Sequence, residues 1–481
     1  MTNKQFSSVT IDEIIEKLQD NSEIFRSETG EPYIKTLYDG KISPIDSGDF
    51  ELWLRNFCYH QMDGLYPPPG ATSQISGHLR MLAQNSDTKK LHYRICFKNN
   101  SIYYDLGLND NRYYKICGKN IKIVHNSDLI FVRNHVFQKQ VKPDLSGNPA
   151  EILSFIEKYF NFSSDNEALL FAVFLISCFF AETMPMPVIQ LSGEKASGKT
   201  FCEKRILDLI NPTSTGILML PKKVDDVAIC LASDYIIAFD NVSWISKDLS
   251  DLLCSITYGG KYTKRKLFTD STQKVMDLRA IFIFNSVSSC VTQSDLADRI
   301  LSFHFERISD KERLSEKELL NDWREGLPRF LGDIFLAIQG ILNDNSDTMY
   351  ASPFRLIDFY NIAVKAGKQL GFTEDDIYFA LDENVNNVNE SIVSNDPLLM
   401  TIEHFMSHKN REEGYKALPT TLYNELKIYA YEELSINSRY FPLNASTLSK
   451  KLLANKSNLE KLGIYFELGK KKDRFIYLYK K

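Results

Sequence analysis

The spacing of apolar positions along this chain changes character several times. Over residues 11–18 and 50–59 the apolar residues recur every three or four positions, which predicts amphipathic helices. Residues 91–97, 101–104, 113–117 and 119–124 are short β-prone runs parted by Asn, Asp and Gly, which predicts strands. Pro143, Gly147 and Pro149 mark a boundary. Beyond it, helical spacing over 152–159 and 168–181 leads into strands and helices that alternate. Strands are predicted at 187–191, 235–240 and 281–284, with helices at 201–210 and 247–256, and Leu301, Phe303 and Phe305 alternate as a last strand. That alternation is the mark of a parallel α/β sheet. Two β-prone arms, 262–269 and 274–280, flank Asp270-Ser271-Thr272 and predict a hairpin. From residue 308 the pattern is mainly helical (314–323, 327–342, 354–370, 374–385, 397–406), and polar 386–396 reads as a hinge. The chain closes with helices at 422–433 and 446–454, the second capped by Asn444, and a strand pair at 464–468 and 475–479. Four parts follow: an α+β domain over 1–150, an α/β core over 151–310, a helical extension over 311–395 and a C-terminal module over 396–481.

Composition narrows the class. At 43% apolar and 25% charged residues, the 481-residue chain has the make-up of a globular protein with room for several cores. The apolar run 168–181 is too short to span a bilayer. The polar N-terminus carries no signal-like apolar stretch, and the eight cysteines form no C-x-x-C pair. We therefore expect a cytoplasmic protein with reduced thiols and no membrane partner. His404 and His408 stand four apart but lack a third ligand, so they read as solvated. The net charge of −5 hides an uneven distribution, because residues 436–481 hold eleven Lys/Arg against Glu460, Glu467 and Asp473. A basic end on an acidic body is the footprint of a nucleic-acid-binding module.

The strongest chemical signal is Gly193-Glu194-Lys195-Ala196-Ser197-Gly198-Lys199-Thr200, which fits G-x-x-x-x-G-K-[ST] between a predicted strand and a predicted helix. Glycines let successive N–H groups face inward on a phosphate; Lys199 would reach the β and γ oxygens, and Thr200 would ligate Mg²⁺. The cofactors expected are thus ATP and Mg²⁺. The 235–240 strand ends in Asp240, placed to complete the Mg²⁺ shell. The 281–284 strand ends at Asn285, an amide able to orient an attacking water. Arg299, after Ser294-Asp295-Leu296-Ala297-Asp298, is placed to face a neighbouring subunit's nucleotide, or else to pair with Asp295 or Asp298 of its own chain. The hairpin bears Lys261, Lys264, Arg265, Lys266, Lys274 and Arg279, a set that touches a polyanion or lies solvated. At the C-terminus, Lys450 and Lys451 lie on the second helix, and Lys470, Lys471, Lys472 and Arg474 lie in the loop of the strand pair. A helix for the major groove with a basic wing is a duplex-reading design, the winged helix.

The segments GEKASGKT, IIAFDN, IFIFN and DLADRI resemble those of AAA+ ATPases, and among them MCM-like helicases with a hairpin before the sensor strand. They look closest to replication-initiator helicases of bacterial mobile elements, including staphylococcal pathogenicity-island Rep proteins and cassette-chromosome relatives. LHYRICFKNNSIYYDL (91–106) and PFRLIDF (353–359) are similar to that family too. The resemblance implies an AAA+ core, sensor 1 at Asn285, a trans-acting finger at Arg299, and sensor 2 at Arg329, with Arg324 nearly as well placed. It also implies a DNA-translocating hairpin and a self-loading hexamer that binds its origin duplex, engages single-stranded DNA and unwinds it. The alternative is an ATP-gated DNA-binding switch or helicase loader that does not unwind. One departure stands out: Asn241 follows Asp240 where the family carries glutamate. An amide can position water but not take its proton, and Asp251 and Glu194 are the substitutes considered.

Overall fold

Five parallel strands carry the centre of the molecule. The computed structural model describes residues 8–37, 40–108, 112–125, 128–265, 273–309, 315–344, 346, 348–409, 414–437, 441–469 and 474–480. Across the sheet the strands run Leu218–Met219, Ile236–Asp240, Ile281–Asn285, Val188–Gly193, Ile300–Phe305. Each neighbouring pair is parallel. All six residues of Val188–Gly193 are buried, as a strand covered on both faces requires. From this strand the chain crosses to the far edge, returns to Ile281–Asn285 beside it, then crosses to the opposite side. Such a reversal opens a crevice at the carboxyl ends of the strands, where open α/β sheets bind ligands.

The helix Asp165–Ser177 is buried at every residue from Glu167 onward, so that length of it sits inside the fold rather than on it. Around it pack Ile357–Gln369, Glu374–Asn395 and Glu316–Asn343. Two expectations are corrected here. The predicted helices 314–323 and 327–342 are one helix of 28 residues, Glu316–Asn343, with Pro328 inside it. An interior proline costs about 3 kcal/mol. Burial of Trp323, Leu327, Phe330, Leu331 and Ile334 along the same stretch offsets that, and Asp144 N–H donates to the Pro328 carbonyl at 2.8 Å. The polar stretch 386–396 is likewise no hinge: the helix Glu374–Asn395 runs through it, with Val388, Ile392 and Val393 buried. Some of this helix's asparagines serve neighbours. Asn384 accepts from Ser302 N–H at 3.1 Å and donates to its carbonyl at 2.6 Å, satisfying the outer edge of the Ile300–Phe305 strand.

Before the sheet lie two smaller layers. Strands Ile42–Pro44, Pro32–Thr36, Ser22–Ser27 and Thr88–Lys89 form a sheet packed with helices Ser8–Asn21, Gly48–Gln61 and Pro69–Gln84. A meander of Ile95–Phe97, Ser101–Tyr104, Arg112–Cys117 and Asn120–His125 follows. The strand expected over 91–97 is broken by Arg94, whose backbone takes φ +55°. Its buried guanidinium donates to the carbonyls of Asp105 (2.9 Å), Gln138 (2.9 Å) and Pro212 (2.8 Å). Tyr104 and Tyr114 of the meander pack on Phe335 of the long helix, so this sheet shares the central core.

The C-terminal part contains helices Pro397–Ser407, Pro419–Glu432, Ala445–Ala454 and Lys456–Lys461. Its antiparallel sheet runs Tyr415–Ala417, Ile476–Lys480, Ile464–Leu468. Asn444 caps its helix by accepting from Thr447 N–H at 2.9 Å. Lys461 donates to Asp298 (2.7 Å) and Asn389 (3.0 Å), tying this part to the centre. All eight cysteines are free. Among the described residues no helix is long and apolar enough to cross a membrane.

Candidate functional site

The loop 194–198 leaves the Val188–Gly193 strand and enters the helix Lys199–Ile210 at the crevice. Two glycines make that path possible. Gly193 has φ +143°, and a Cβ there would stand 2.3 Å from the Phe305 carbonyl; Gly198 caps the helix with φ +95°. Among the described residues, no acceptor meets the backbone N–H groups of Glu194, Lys195, Ala196, Ser197 and Gly198. Lys199 folds back over the loop, its Nζ donating to the carbonyls of Gly193 (2.6 Å) and Glu194 (2.7 Å) and to Ser197 Oγ (3.2 Å). Burial draws its ammonium below the usual lysine range, while Glu203 and Asp240 hold it up. A cationic arm parked over unpaired N–H donors is a site arranged for anionic oxygen.

Beside the loop, two strand tips and the start of the loop helix bring three polar side chains together. Thr200 Oγ1 lies 3.4 Å from Asp240 Oδ1. Asn285 Nδ2 donates to Asp240 Oδ1 at 2.6 Å, and Asn285 Oδ1 accepts from the Asn241 backbone N–H at 2.9 Å. Asn241 sits at φ +58°, a left-handed position asparagine tolerates. Its side chain is exposed. A fourth member was not foreseen. Glu203, completely buried on the loop helix, accepts from Asn285 Nδ2 at 2.6 Å. Burial pushes its carboxyl well above the usual range, and the nearby Asp240 adds to that. A signal for it exists in the sequence: Glu203, Ile206 and Ile210 share one helical face, so a carboxyl there must face inward. Neither substitute considered for the missing carboxylate joins the cluster by a hydrogen bond or ion pair among the described residues. Glu194 is exposed, 3.9 Å from Arg307, and Asp251 is exposed on its helix.

The arginines are placed differently from one another. Arg299 is buried, its Nη1 2.8 Å from Asp295 Oδ1 and 3.4 Å from Cys254 Sγ, with its guanidinium over the Tyr258 ring. Of the two intrachain carboxylates weighed above, Asp295 is the one it takes. Asp295 also takes Arg355 at 2.7 Å, an exposed arginine of the 353–359 segment that the sequence did not single out. Arg329 is engaged by Glu151 (3.1 Å), Ser146 (2.9 Å) and Asp333 (3.5 Å), none of them in the loop. Arg324 is exposed on the same helix.

The basic clusters are only partly visible. The hairpin pairs Lys261–Arg265 with Gln273–Asp277. Lys264 lies 3.3 Å from Asp225, which also accepts from Tyr262. For Arg265 and Lys274 the backbone alone is described, and Lys266 lies outside the described residues. Lys450 and Arg474 are exposed and Lys451 is half-buried, while Lys470, Lys471 and Lys472 lie outside the described residues. His404 and His408 both meet the Tyr429 hydroxyl, at 2.8 and 3.1 Å. One group of metal-ligating side chains occurs among the described residues, His92, Cys96 and Glu182. Glu182 meets Nδ1 of His92 (2.6 Å) and Cys96 meets Nε2 (3.5 Å), so the two flank opposite nitrogens and cannot share one ion with the ring. A cleft of about 1800 Å³ lies away from the loop, lined by both signs of charge, Lys90, Arg133 and Lys264 against Glu31, Asp234 and Asp277.

Among curated proteins, none matches the sequence. Among the solved structures similar along most of the length, two are instructive. One, described as SCCmec type IV Cch, active helicase, is 13% identical over 96% of this chain and 93% of its own, with a TM-score of 0.47. The other, the A form apo structure of the NrS-1 C terminal region, is 9% identical over 97% and 98%, with a TM-score of 0.43. Residues 153–387, just under half of the chain, match the family model described as actinomycete integrative conjugative element replication protein. That stretch holds the loop, Asp240, Asn285 and Arg299, and it carries the signature of a replication protein of mobile genetic elements, in agreement with the resemblance read from its motifs.

Proposed function

We propose that this chain is an AAA+ ATPase that unwinds DNA to start replication of a mobile element. The observation that carries the reading is the phosphate loop at the switch point of a five-stranded parallel sheet, with Thr200, Asp240 and Asn285 gathered beside it. Unpaired N–H donors, a lysine and a hydroxyl–carboxylate pair are the donor set that Mg²⁺–ATP requires. Thr200 and Asp240 would hold the metal, which when bound neutralises phosphate charge. Residues Gly193 to Thr200 would cradle the phosphates, with Lys199 leaving the carbonyls of Gly193 and Glu194 for the stronger charge of phosphate oxygen. Asn285 would orient the attacking water, with Asn241 close by. Arg299 would serve the neighbouring subunit's site in a hexamer, after exchanging Asp295 for phosphate. Arg329, being committed elsewhere, is the weakest of the expected roles.

The other parts take the duties their chemistry supports. The basic hairpin would grip single-stranded DNA through Lys264, Arg265, Lys266 and Lys274. The C-terminal module would read origin duplex as a winged helix, with Ala445–Ala454 in the groove and the loop through Arg474 as the wing. The division into 1–150, 151–310, 311–395 and 396–481 belongs to this proposal.

Asn241, in place of a carboxylate, favours a second reading in which slow hydrolysis gates DNA binding or helicase loading. Strand displacement on a forked duplex separates the two. ATP-dependent displacement is expected; DNA-stimulated hydrolysis without displacement supports the gate, and neither activity would overturn both.

A further inference from the structure

We infer that Glu203 is a positioning residue of the nucleotide site: its carboxyl fixes the rotamer of Asn285 and so sets where the oxygen of that amide can receive the attacking water. The inference deepens the ATPase reading and rests on it.

The bonds around Asn285 define one orientation. Its Oδ1 takes the Asn241 N–H at 2.9 Å, and Nδ2 meets Asp240 Oδ1 and Glu203 Oε2, each at 2.6 Å. Turned over, the amide would set its oxygen against two carboxyl groups and its NH₂ against an N–H. Both Nδ2 hydrogens are thus in use. The two acceptors differ in what else they do. Asp240 Oδ1 also lies 3.4 Å from Thr200, on the side assigned to the metal, so its hold on the amide is shared. Glu203 lies deeper and belongs to the helix that starts at Lys199. It therefore ties the strand-tip amide to the loop helix itself, one turn beyond the lysine.

Stability alone argues against a glutamate here. Oε1 of Glu203 has no hydrogen-bond partner among the described residues, and burying an unpartnered polar atom costs stability. Ile206 and Ile210 on the same face show what packing would select. The acceptor for Asn285 is what the carboxyl adds.

The test pairs Glu203→Gln, which keeps the shape and a carbonyl acceptor, with Glu203→Met, which fills the volume and offers none. Steady-state hydrolysis of Mg²⁺–ATP is measured with DNA present, beside Lys199→Ala. We expect Met to lower kcat about tenfold or more with KM within about twofold, and Gln to stay within about threefold of the natural protein. Met with undiminished kcat, or Gln falling as far as Met, overturns the inference. A second readout does not need turnover. In protein labelled with ¹⁵N-asparagine, the Asn285 side-chain amide, identified by its loss in Asn285→Ser, should give two resolved signals in the natural protein and in Gln. In Met the signal of the hydrogen donated to Glu203 should move toward its free-amide position, and unmoved signals there overturn the inference. If the natural protein hydrolyses no faster than Lys199→Ala, the ATPase reading falls, and the amide signals still decide the role of Glu203.

Discussion

The phosphate-loop site and the C-terminal module both draw on polar and charged residues, yet they use them in opposite ways. At the loop, Glu203 and Asn285 are buried and bonded to each other, and Lys199 is buried against the carbonyls of the loop itself. In the C-terminal module, Lys450 and Arg474 stand exposed on a small frame of helices and strands. A buried charged group depends on its partners, so losing one is expensive; exposed charges are worth little singly and add up only along a polyanion. Substitutions should therefore act in steps at the first site and in increments at the second.

The largest effect is expected from Lys199→Ala, which removes the cation proposed to meet the phosphates. ATP turnover should fall at least about a hundredfold, since transition-state charge loses its main partner. Near-normal hydrolysis with DNA would break the comparison at its strong end. Next comes Arg299→Ala, with hydrolysis reduced by up to about 10³-fold and nucleotide binding kept, if the arginine acts across a subunit boundary. Mixing these subunits with Lys199→Ala subunits is the decisive measurement. Partial recovery of turnover supports action in trans; no recovery in subunits shown to co-assemble leaves Arg299 as the partner of Asp295 that it is within its own chain.

Neutralising Lys450, Lys451 and Arg474 to Gln should weaken duplex binding gradually. The slope of log affinity against log salt should flatten by about 0.9 for each DNA phosphate that the protein no longer neutralises. Forked-duplex unwinding should change little; equal loss of both activities would mean one continuous DNA surface instead of two. The smallest effect is expected from Asp225→Asn, which frees Lys264 from its 3.3 Å ion pair. Single-strand affinity should rise about twofold to fivefold, the worth of a partly exposed pair. A drop would show that Asp225 orders the hairpin more than it occupies the lysine.

Signals carried by consecutive residues were legible in the sequence. The loop is such a signal, and Asp240 and Asn285 were found because each ends an apolar strand. Glu203 was missed because its meaning depends on Asn285, 82 positions away and one strand over. The ion pair of Lys264 was not legible for the same reason, since its carboxylate, Asp225, lies away from the hairpin in the helix Val224–Leu231. The strands Ser22–Ser27 and Pro32–Thr36 escaped notice because Glu23, Arg26 and Lys35 blur their alternation. Helix Pro69–Gln84 was hidden by Gly70, Gly77 and its serines, which lower local propensity although Ile75 and Leu79 are buried. Pro328 and the asparagines of 386–396 misled in the other direction, because tertiary packing overrode a local rule.

The C-terminal module is joined to the sheet by more than Lys461. One apolar cluster runs without a break from Phe239 and Phe282 of the sheet, through Leu296 and Val388, to Leu398, Leu422 and Ile464. Cutting the chain before Pro397 would therefore strip the cover from one side of the sheet and leave matching greasy faces on both fragments, which favours aggregation over independent folding. For anyone seeking to test the two proposed roles apart, truncation is the wrong tool. Separation has to come from surface charge substitutions in the uncut 481-residue chain, which leave this shared core sealed.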